Sequence, residues 1–260
     1  MHGGTEAPEG SRDARNPPSI STTHHSPPPS FFLRTLPLSS TRSENRCQPT
    51  RVSYLGPQPS QQQILGSHER ALHEAARRGH IDDLAHLVGE HGVNIDATDS
   101  SGRTPVYIAS SQGHAQTVKL LAQLGANVNT PKEDGRTPVY VASHKGHTET
   151  VKLLAQLGAN VNTPKVDSRT PLWIASYHGH VETVKLLVQL GANVDTPNEG
   201  GATPVYIASH NGHTETVKLL AQLGANVDTP NEDGATPVWV ASYYGHTETV
   251  KLLLSSLVTV

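Results

Sequence analysis

The sequence predicts an all-α repeat solenoid of stacked helix–turn–helix units, joined by β-hairpin-like fingers and preceded by a disordered N-terminal tail. Three observations predict this fold. A Thr-Pro pair recurs every 33 residues, each recurrence opens two short apolar segments separated by glycine, and the composition changes near residue 68. A fixed period of about 20 to 50 residues is typical of repeat proteins, in which each unit buries its apolar face against its neighbours.

The first 68 residues have the composition of a disordered segment. Residues 1–68 contain ten Pro, eleven Ser and no Lys. A segment so poor in apolar residues cannot bury enough surface to offset the entropy lost on ordering. Its Ser-Pro-Pro-Pro-Ser run at 26–30 favours a polyproline conformation, which fits either a spacer or a ligand for a proline-binding module. We therefore expect a disordered tail over 1–68 and a folded domain over 69–260.

Charge and cysteine content exclude several classes of protein. The whole chain has 20 Lys and Arg residues and 23 Asp and Glu residues, and the tail has six Arg and four acidic residues among them. Residues 69–260 therefore carry 14 basic and 19 acidic side chains. This acidic balance argues against nucleic acid as a partner. No run approaches the ~18 apolar residues of a membrane-spanning helix, and the first residues lack a secretory signal. With Cys47 as the single cysteine, we expect a cytosolic protein, with a nuclear location as the alternative.

The repeat period is exact. The Thr-Pro pairs start at Thr104, Thr137, Thr170, Thr203 and Thr236. Residues 135–167 and 201–233 differ at six of 33 positions. Units this similar must adopt the same local structure.

The first half of a unit has the signals of a short capped helix. Thr104 is a residue that caps a helix by accepting a bond from a free amide, and Pro105 suits the first helical position. The apolar segment 106–109 follows, and Gly113 ends it where a left-handed residue is needed.

The second half predicts another helix and a turn. Residues 115–124 place apolar side chains on one stripe, and Gly125 ends this helix. Residues 126–131 are predicted to be extended and to lead into an Asp134-Gly135 turn. Ser168 stands where the other units have the turn glycine, which predicts either a different turn type or backbone strain.

These motifs together resemble one known family. Gly-x-Thr-Pro, Gly-His, Val-Lys-Leu-Leu and Gly-Ala-Asn-Val-Asn, in this order and at this period, resemble the ankyrin repeat over about 69–260. The resemblance implies six repeats, at 69–101, 102–134, 135–167, 168–200, 201–233 and 234–260. The first unit keeps the family's Leu-His-x-Ala-Ala at 72–76.

The later units depart from the family at one position. Where the family has His after Thr-Pro-Leu, this chain has Tyr107, Tyr140, Trp173, Tyr206 and Trp239. We expect aromatic packing between repeats to replace the histidine hydrogen bonds there.

The resemblance implies a concave binding face made by the ends of the inner helices and the finger tips. The residues that vary between units concentrate at those helix ends, namely Ser111, Gln112, His144, Lys145, Tyr177, His178, His210, Asn211, Tyr243 and Tyr244. Polar and aromatic side chains of this kind suit a protein interface. Neutral drift at exposed positions is the alternative.

The fingers change in charge along the array. Arg103, Arg136 and Arg169 share a position that becomes Ala202 and Ala235 in later units. A basic first half would orient a partner that has an acidic stretch. The alternative is a solvated charged surface without a binding role.

The resemblance also implies a modification. Ankyrin repeats can be hydroxylated at the Asn or Asp that closes the extended segment, and the matching residues here are Asn129, Asn162, Asp195 and Asp228. The alternative is that these side chains only bond the backbone of their own loop.

Metal binding and catalysis are not expected. Five of the sixteen histidines follow a glycine at one fixed position, namely His114, His147, His180, His213 and His246. Neighbouring helices lie about 8–10 Å apart, whereas zinc ligands lie ~2 Å from one ion, so this ladder cannot share a metal. The sequence has no phosphate-binding, nucleophile-elbow or dinucleotide motif, and we expect neither a cofactor nor an enzymatic activity.

The function expected from these observations is protein binding. One alternative is a fragment or isoform of a larger protein whose catalytic or channel domain lies elsewhere, and another is a structural spacer. The last unit has no charge after Lys251 and ends in apolar residues, although a solenoid end needs a polar face. We therefore expect its C-terminal unit to be poorly capped.

Overall fold

The computed structural model describes residues 61–258 and forms twelve helices in that range. In chain order they are α1 (Gln61–Arg78), α2 (Ile81–His91), α3 (Pro105–Gln112), α4 (Ala115–Gln123), α5 (Pro138–Lys145), α6 (Thr148–Gln156), α7 (Pro171–Tyr177), α8 (Val181–Gln189), α9 (Pro204–His210), α10 (Thr214–Gln222), α11 (Pro237–Tyr243) and α12 (Thr247–Val258). Each odd-numbered (inner) helix packs on the even-numbered (outer) helix that follows it. Like helices of successive pairs pack side by side. The predicted helix-pair solenoid is thus confirmed, and we number its pairs repeat 1 to repeat 6.

Helix α1 begins earlier than the sequence indicated. It starts at Gln61, so residues 61–68 of the predicted tail are helical, and residues 1–60 lie outside the described residues. Extending a helix costs little once it is nucleated, and Gln and Leu are good helix formers. The buried residues Leu72 and Ala76 anchor this helix to the array.

The inner helices from α3 onward start by the predicted cap. The hydroxyl of Thr104 accepts a hydrogen bond from the backbone N–H of Tyr107 at 3.2 Å, and the four equivalent threonines do the same at 3.1–3.3 Å. Proline follows at the first helical position in each case. The local sequence therefore sets where each of these helices begins.

A glycine after each inner helix allows the next repeat to approach. Gly146 has φ +70°, and a Cβ there would lie 2.8 Å from the ring of His180 in the next repeat. That ring uses its Nε2 atom to hydrogen bond the backbone carbonyl of His144 at 3.1 Å. The same bond to the previous repeat recurs at His114, His147, His213 and His246. These histidines join neighbouring repeats.

Inner and outer helices both supply the core. Val118 and Leu121 of α4 are fully buried, as are the equivalent residues of α6, α8 and α10. One continuous apolar cluster runs from Leu72 in α1 to Leu253 in α12. Because this one cluster includes buried residues of all six repeats, the core exists only in the stacked array.

Threonine hydroxyls also join the outer helices at two of the five junctions between repeats. Thr148 and Thr183 in successive repeats hydrogen bond through their Oγ1 atoms at 2.8 Å, and a second such pair forms further along the array at the same distance. In repeat 4 the first of these positions is Val181, and the Oγ1 atom of Thr216 is buried without a partner among the described residues.

The fingers are tight turns without strands in the range 61–258. In the finger 132–136, the backbone N–H of Lys132 donates to the carbonyl of Arg136 at 2.9 Å, and Gly135 donates back to Lys132 at 2.8 Å. A further bond, from the N–H of Val166 to the carbonyl of Asp134 at 3.2 Å, joins this finger to the next. The fingers thus have hairpin-like bonding over five residues each.

Ser168 forms the same turn as the glycines at this position, and its backbone is strained as a result. Its φ is +62°, and its N–H donates to the carbonyl of Lys165 at 3.0 Å, as Gly135 does in the preceding finger. It is the one residue other than glycine with positive φ among the described residues.

Replacing this serine should stabilise the protein. The left-handed conformation costs a non-glycine residue about 1–2 kcal/mol, and the added freedom of glycine in the unfolded chain offsets part of that gain. We expect Ser168→Gly to raise the free energy of unfolding by up to about 1 kcal/mol in urea titration. The reverse change, Gly135→Ser, should destabilise, and a stabilising effect of that control would contradict the account.

The face of repeat 6 that points away from repeat 5 is exposed. Trp239 is 54% exposed, whereas its equivalent Trp173 is 3% exposed because the next finger covers it. Leu254 and Leu257 of α12 are also exposed. Apolar surface that stays in contact with water lacks the stabilisation of about 25 cal/mol per Å² that burial gives. This repeat is therefore the least stabilised of those from α3 onward.

Hydrogen exchange should reveal this difference. Amides in 236–257 should exchange much faster than their counterparts in 137–158, because repeat 3 has two neighbours and repeat 6 has one described neighbour. Appending a charged capping repeat should restore protection. Equal protection of the two ranges in an uncapped monomer would show that this end is adequately stabilised.

Candidate protein interface

The variable helix-end residues form one strip, because they end inner helices that pack side by side. We call this strip the groove. Its residues are Ser111, Gln112, His144, Lys145, Tyr177, His178, His210, Asn211, Tyr243 and Tyr244, and each is half-buried or exposed. The array therefore presents different side chains at equivalent positions.

One aromatic cluster lies in the middle of the groove. The rings of Trp173 and Tyr177 stack with centroids 5.7 Å apart, and Tyr177 meets His178 edge-on at 4.8 Å. His178 in turn meets His144 of the preceding repeat at 4.6 Å. Together with Arg169 they line a cavity of about 570 Å³.

A second cluster lies at repeat 6. Trp239 stacks on Tyr243 at 5.2 Å, Tyr243 meets Tyr244 at 5.1 Å, and Tyr244 lies 4.4 Å from His210. The tryptophans were not among the groove residues expected from the sequence. Their i,i+4 spacing from Tyr177 and Tyr243 was a signal that could have found them, since such residues are neighbours on one helix face.

Aromatic residues replace the family's histidine in two ways. Repeat 1 keeps His73, whose Nε2 atom hydrogen bonds the carbonyl of Ala97 at 2.7 Å. In repeat 4 the indole N–H of Trp173 donates to the carbonyl of Ala202 in the next finger at 2.9 Å. Tyr107 and Tyr140 are instead simply buried.

The finger arginines are ion-paired within their own fingers. Arg103 contacts Asp99 at 2.7 Å, Arg136 contacts Asp134 at 2.5 Å, and Arg169 lies 3.0 Å from Asp167. The hydrogen bond from Arg136 lowers the pKa of Asp134 to about 2, against the opposing effect of burial. The predicted basic character of the first fingers is therefore largely cancelled by these carboxylates.

The residues matched to hydroxylation sites bind the next repeat. The Oδ1 atom of Asn129 accepts from the backbone N–H of Asn160 at 3.0 Å, Asn162 accepts from Asn193 at 3.1 Å, and Asp195 accepts from Asn226 at 2.9 Å. Asp228 is exposed. Three of the four side chains thus bond the backbone of the neighbouring loop rather than that of their own. Their hydroxylation stays a prediction.

Within residues 61–258, no group of three His, Cys, Asp or Glu side chains is arranged to hold a metal ion. No helix in the same range is both long enough and apolar enough to cross a membrane.

Two groove histidines, His144 and His178, are held neutral. Burial, assisted by the neighbouring His178 and Lys145, lowers the pKa of His144 to about 4. Burial also lowers the pKa of His178. Since neutral imidazole can donate and accept hydrogen bonds, these rings act at pH 7 as polar contacts without charge.

Stability should therefore fall in acid. Between pH 6.5 and 4 the unfolded chain protonates His144 while the folded chain does not, so the free energy of unfolding decreases as pH falls through this window. We expect His144→Gln to reduce this loss by about 1 kcal/mol, after allowance for the exposed part of the ring. Urea titrations at pH 7.5 and 4.5 measure it. Equal losses in variant and wild type would refute the assignment.

Comparison with known proteins fits this architecture. A family model described as "Ankyrin repeats (3 copies)" matches residues 52–132, 72–165, 124–198 and 190–259. Acyl-CoA-binding domain-containing protein 4 of Oryza sativa subsp. japonica is 45% identical over 51 residues, which are 19% of this chain and 15% of that protein. Cyclin-dependent kinase 4 inhibitor B of Mus musculus is 38% identical over 52 residues, 20% of this chain and 39% of that protein, and the Rattus norvegicus protein matches equally.

The matches to these relatives thus span well under half of each relative's length. The family model, by contrast, extends over nearly all of the helical array described above. Taken with the six stacked helix pairs, this match shows that the chain belongs to the ankyrin-repeat family.

Proposed function

We propose that this chain is a non-enzymatic scaffold that binds a partner protein or peptide along the groove on its concave face. Ankyrin repeats generally mediate protein–protein interaction and are generally non-enzymatic. The observation that carries the proposal is the contrast between near-identical stacking positions and variable, aromatic-rich groove positions. Tyrosine is enriched at binding surfaces because it combines contact area with a polar tip.

The exposed aromatic residues favour binding over a spacer role. Tyr177, Tyr243 and Tyr244 are all more than one third exposed, and they lie in two clusters rather than singly. A spacer gains nothing from such surface, whereas binding hot spots are rich in Tyr and Trp. If the chain is part of a larger protein with another activity, the same groove is the binding element of that protein.

We also propose the kind of partner and the cellular location of this binding. One relative is named as an inhibitor of a cyclin-dependent kinase, which supports a protein as the kind of partner. We place the chain in the cytosol, with the nucleus as the alternative, and expect no nucleic acid partner because the repeats are mildly acidic. Since the finger arginines are paired with Asp residues, a long acidic stretch in the partner is not required.

Groove mutations should separate binding from stability. A partner is first identified by affinity purification and mass spectrometry. Replacing Tyr177, His178, Tyr243 and Tyr244 together by Ala should then weaken its binding by at least ~2 kcal/mol, or roughly thirtyfold, while thermal melting changes much less.

The matched control changes four exposed outer-helix lysines to Ala, namely Lys119, Lys152, Lys185 and Lys218. These lie on the opposite helix row and should leave affinity within about twofold, since surface substitutions away from an interface have small effects. Unchanged affinity in the groove variant would remove the binding proposal and favour the spacer.

A further inference from the structure

Repeat 4 differs from its neighbours in the direction of its finger arginine. Arg136 donates hydrogen bonds from both Nε (2.8 Å) and Nη2 (2.5 Å) to Asp134, and Arg103 is bound to Asp99 by Nε and Nη2 in a similar way. The Nε atom of Arg169 is buried and 3.0 Å from Asp167, yet its guanidinium makes no hydrogen bond within residues 61–258. Arg169 is therefore held less firmly by its own carboxylate than Arg103 and Arg136 are.

Two neighbours explain this orientation. The Nζ atom of Lys165 donates to Asp167 at 2.9 Å, whereas the equivalent Lys132 is 3.4 Å from Asp134. The guanidinium of Arg169 instead lies over the ring of Trp173, with Cζ 5.0 Å from the ring centroid. Tryptophan attracts a cation more strongly than tyrosine, the residue at this position in the preceding repeat.

The same finger carries an excess positive charge. In finger 132–136, Lys132 and Arg136 are balanced by Glu133 and Asp134. Finger 165–169 has Lys165 and Arg169 but only one carboxylate, that of Asp167. The pKa of that carboxyl group is low: burial would raise it, but the bond from Lys165 and the charge of Arg169 lower it.

Arg169 lines the aromatic cavity in the middle of the groove. The cavity of about 570 Å³ is lined by Arg169, Trp173, Tyr177 and His178, and also by His144 and Asn198. The Oδ1 atom of Asn198 accepts from two backbone N–H groups, those of Gly200 and Ala202, so its NH₂ group is directed elsewhere. The wall thus combines aromatic faces, a cation that shares one carboxylate with Lys165, and an amide donor.

We propose that this cavity binds one carboxylate side chain, an Asp or Glu of the partner segment, next to an apolar or aromatic partner residue. This rests on the proposed function and names the partner chemistry at one position of the groove. The guanidinium donors match the two oxygens of a carboxylate. Tyr177, which is 39% exposed, contacts the adjacent apolar residue, and the exposed part of the Arg169 side chain meets the carboxylate.

Peptide selection tests this directly. A library of random 12-residue peptides is selected on the full chain, on Arg169→Ala and on Arg136→Ala, the matched control in the balanced finger. Wild type and Arg136→Ala should enrich an acidic residue beside an apolar or aromatic one, and Arg169→Ala should not. A selected peptide should bind Arg169→Ala at least tenfold more weakly, and Arg136→Ala within twofold of wild type. Changing its acidic residue to Gln should cause the same tenfold loss on wild type.

A second variant avoids any change in charge. Trp173→Tyr makes repeat 4 resemble repeat 3, in which the arginine is bound to its own Asp, and should lower affinity severalfold even if Arg169→Ala fails to fold. Enrichment of peptides without an acidic residue would overturn the carboxylate site while leaving the proposed function intact. Equal loss in Arg136→Ala and Arg169→Ala would overturn it as well. Failure to select any peptide on wild type would count against both.

Discussion

The structure depends on the contact between one repeat and the next, because no helix pair here can cover its own apolar face. The buried Val and Leu residues of each outer helix meet those of the neighbouring pairs in one continuous core. A glycine in the left-handed region brings the next histidine against it, and the ring bonds a backbone carbonyl of the previous repeat. Shape and hydrogen bonding thus fix the same spacing at every junction.

This constraint determines where sequence can vary. Positions that cap, stack or bridge are used at every junction, and a change there affects two repeats at once. The ends of the inner helices and the finger side chains make fewer of these contacts. Aromatic and charged residues at those places therefore alter recognition at limited cost to the array. The helices hold them in fixed positions, which lowers the entropy lost on binding.

The sequence predicted those parts of the structure that are decided locally. Thr-Pro and the glycines that end the helices act within a few residues, so the helices from α3 onward followed from them, whereas the turn at 128–129 lies in a segment predicted to be extended. The start of α1 has no such cap signal, and residues 61–68 were assigned to the tail. The state of Arg169 could not be predicted, because it depends on a competition between Asp167 and Trp173 in three dimensions. The pairing of Arg103 and Arg136 with Asp residues also reduced a charge pattern that looked basic in sequence.

The near-identity of units 135–167 and 201–233 makes the array modular at the level of whole repeats. If 135–200 were excised, the unit 102–134 would meet a surface that differs at six positions from its present neighbour. The shortened chain would keep a familiar junction but would lose the cavity proposed to bind a carboxylate, along with Trp173, Ser168 and Val181, which lie in the second of the two removed repeats. The number of repeats can thus change while the junctions between repeats stay the same. Loss or gain of repeats in the gene would then change the groove residues without disturbing the fold.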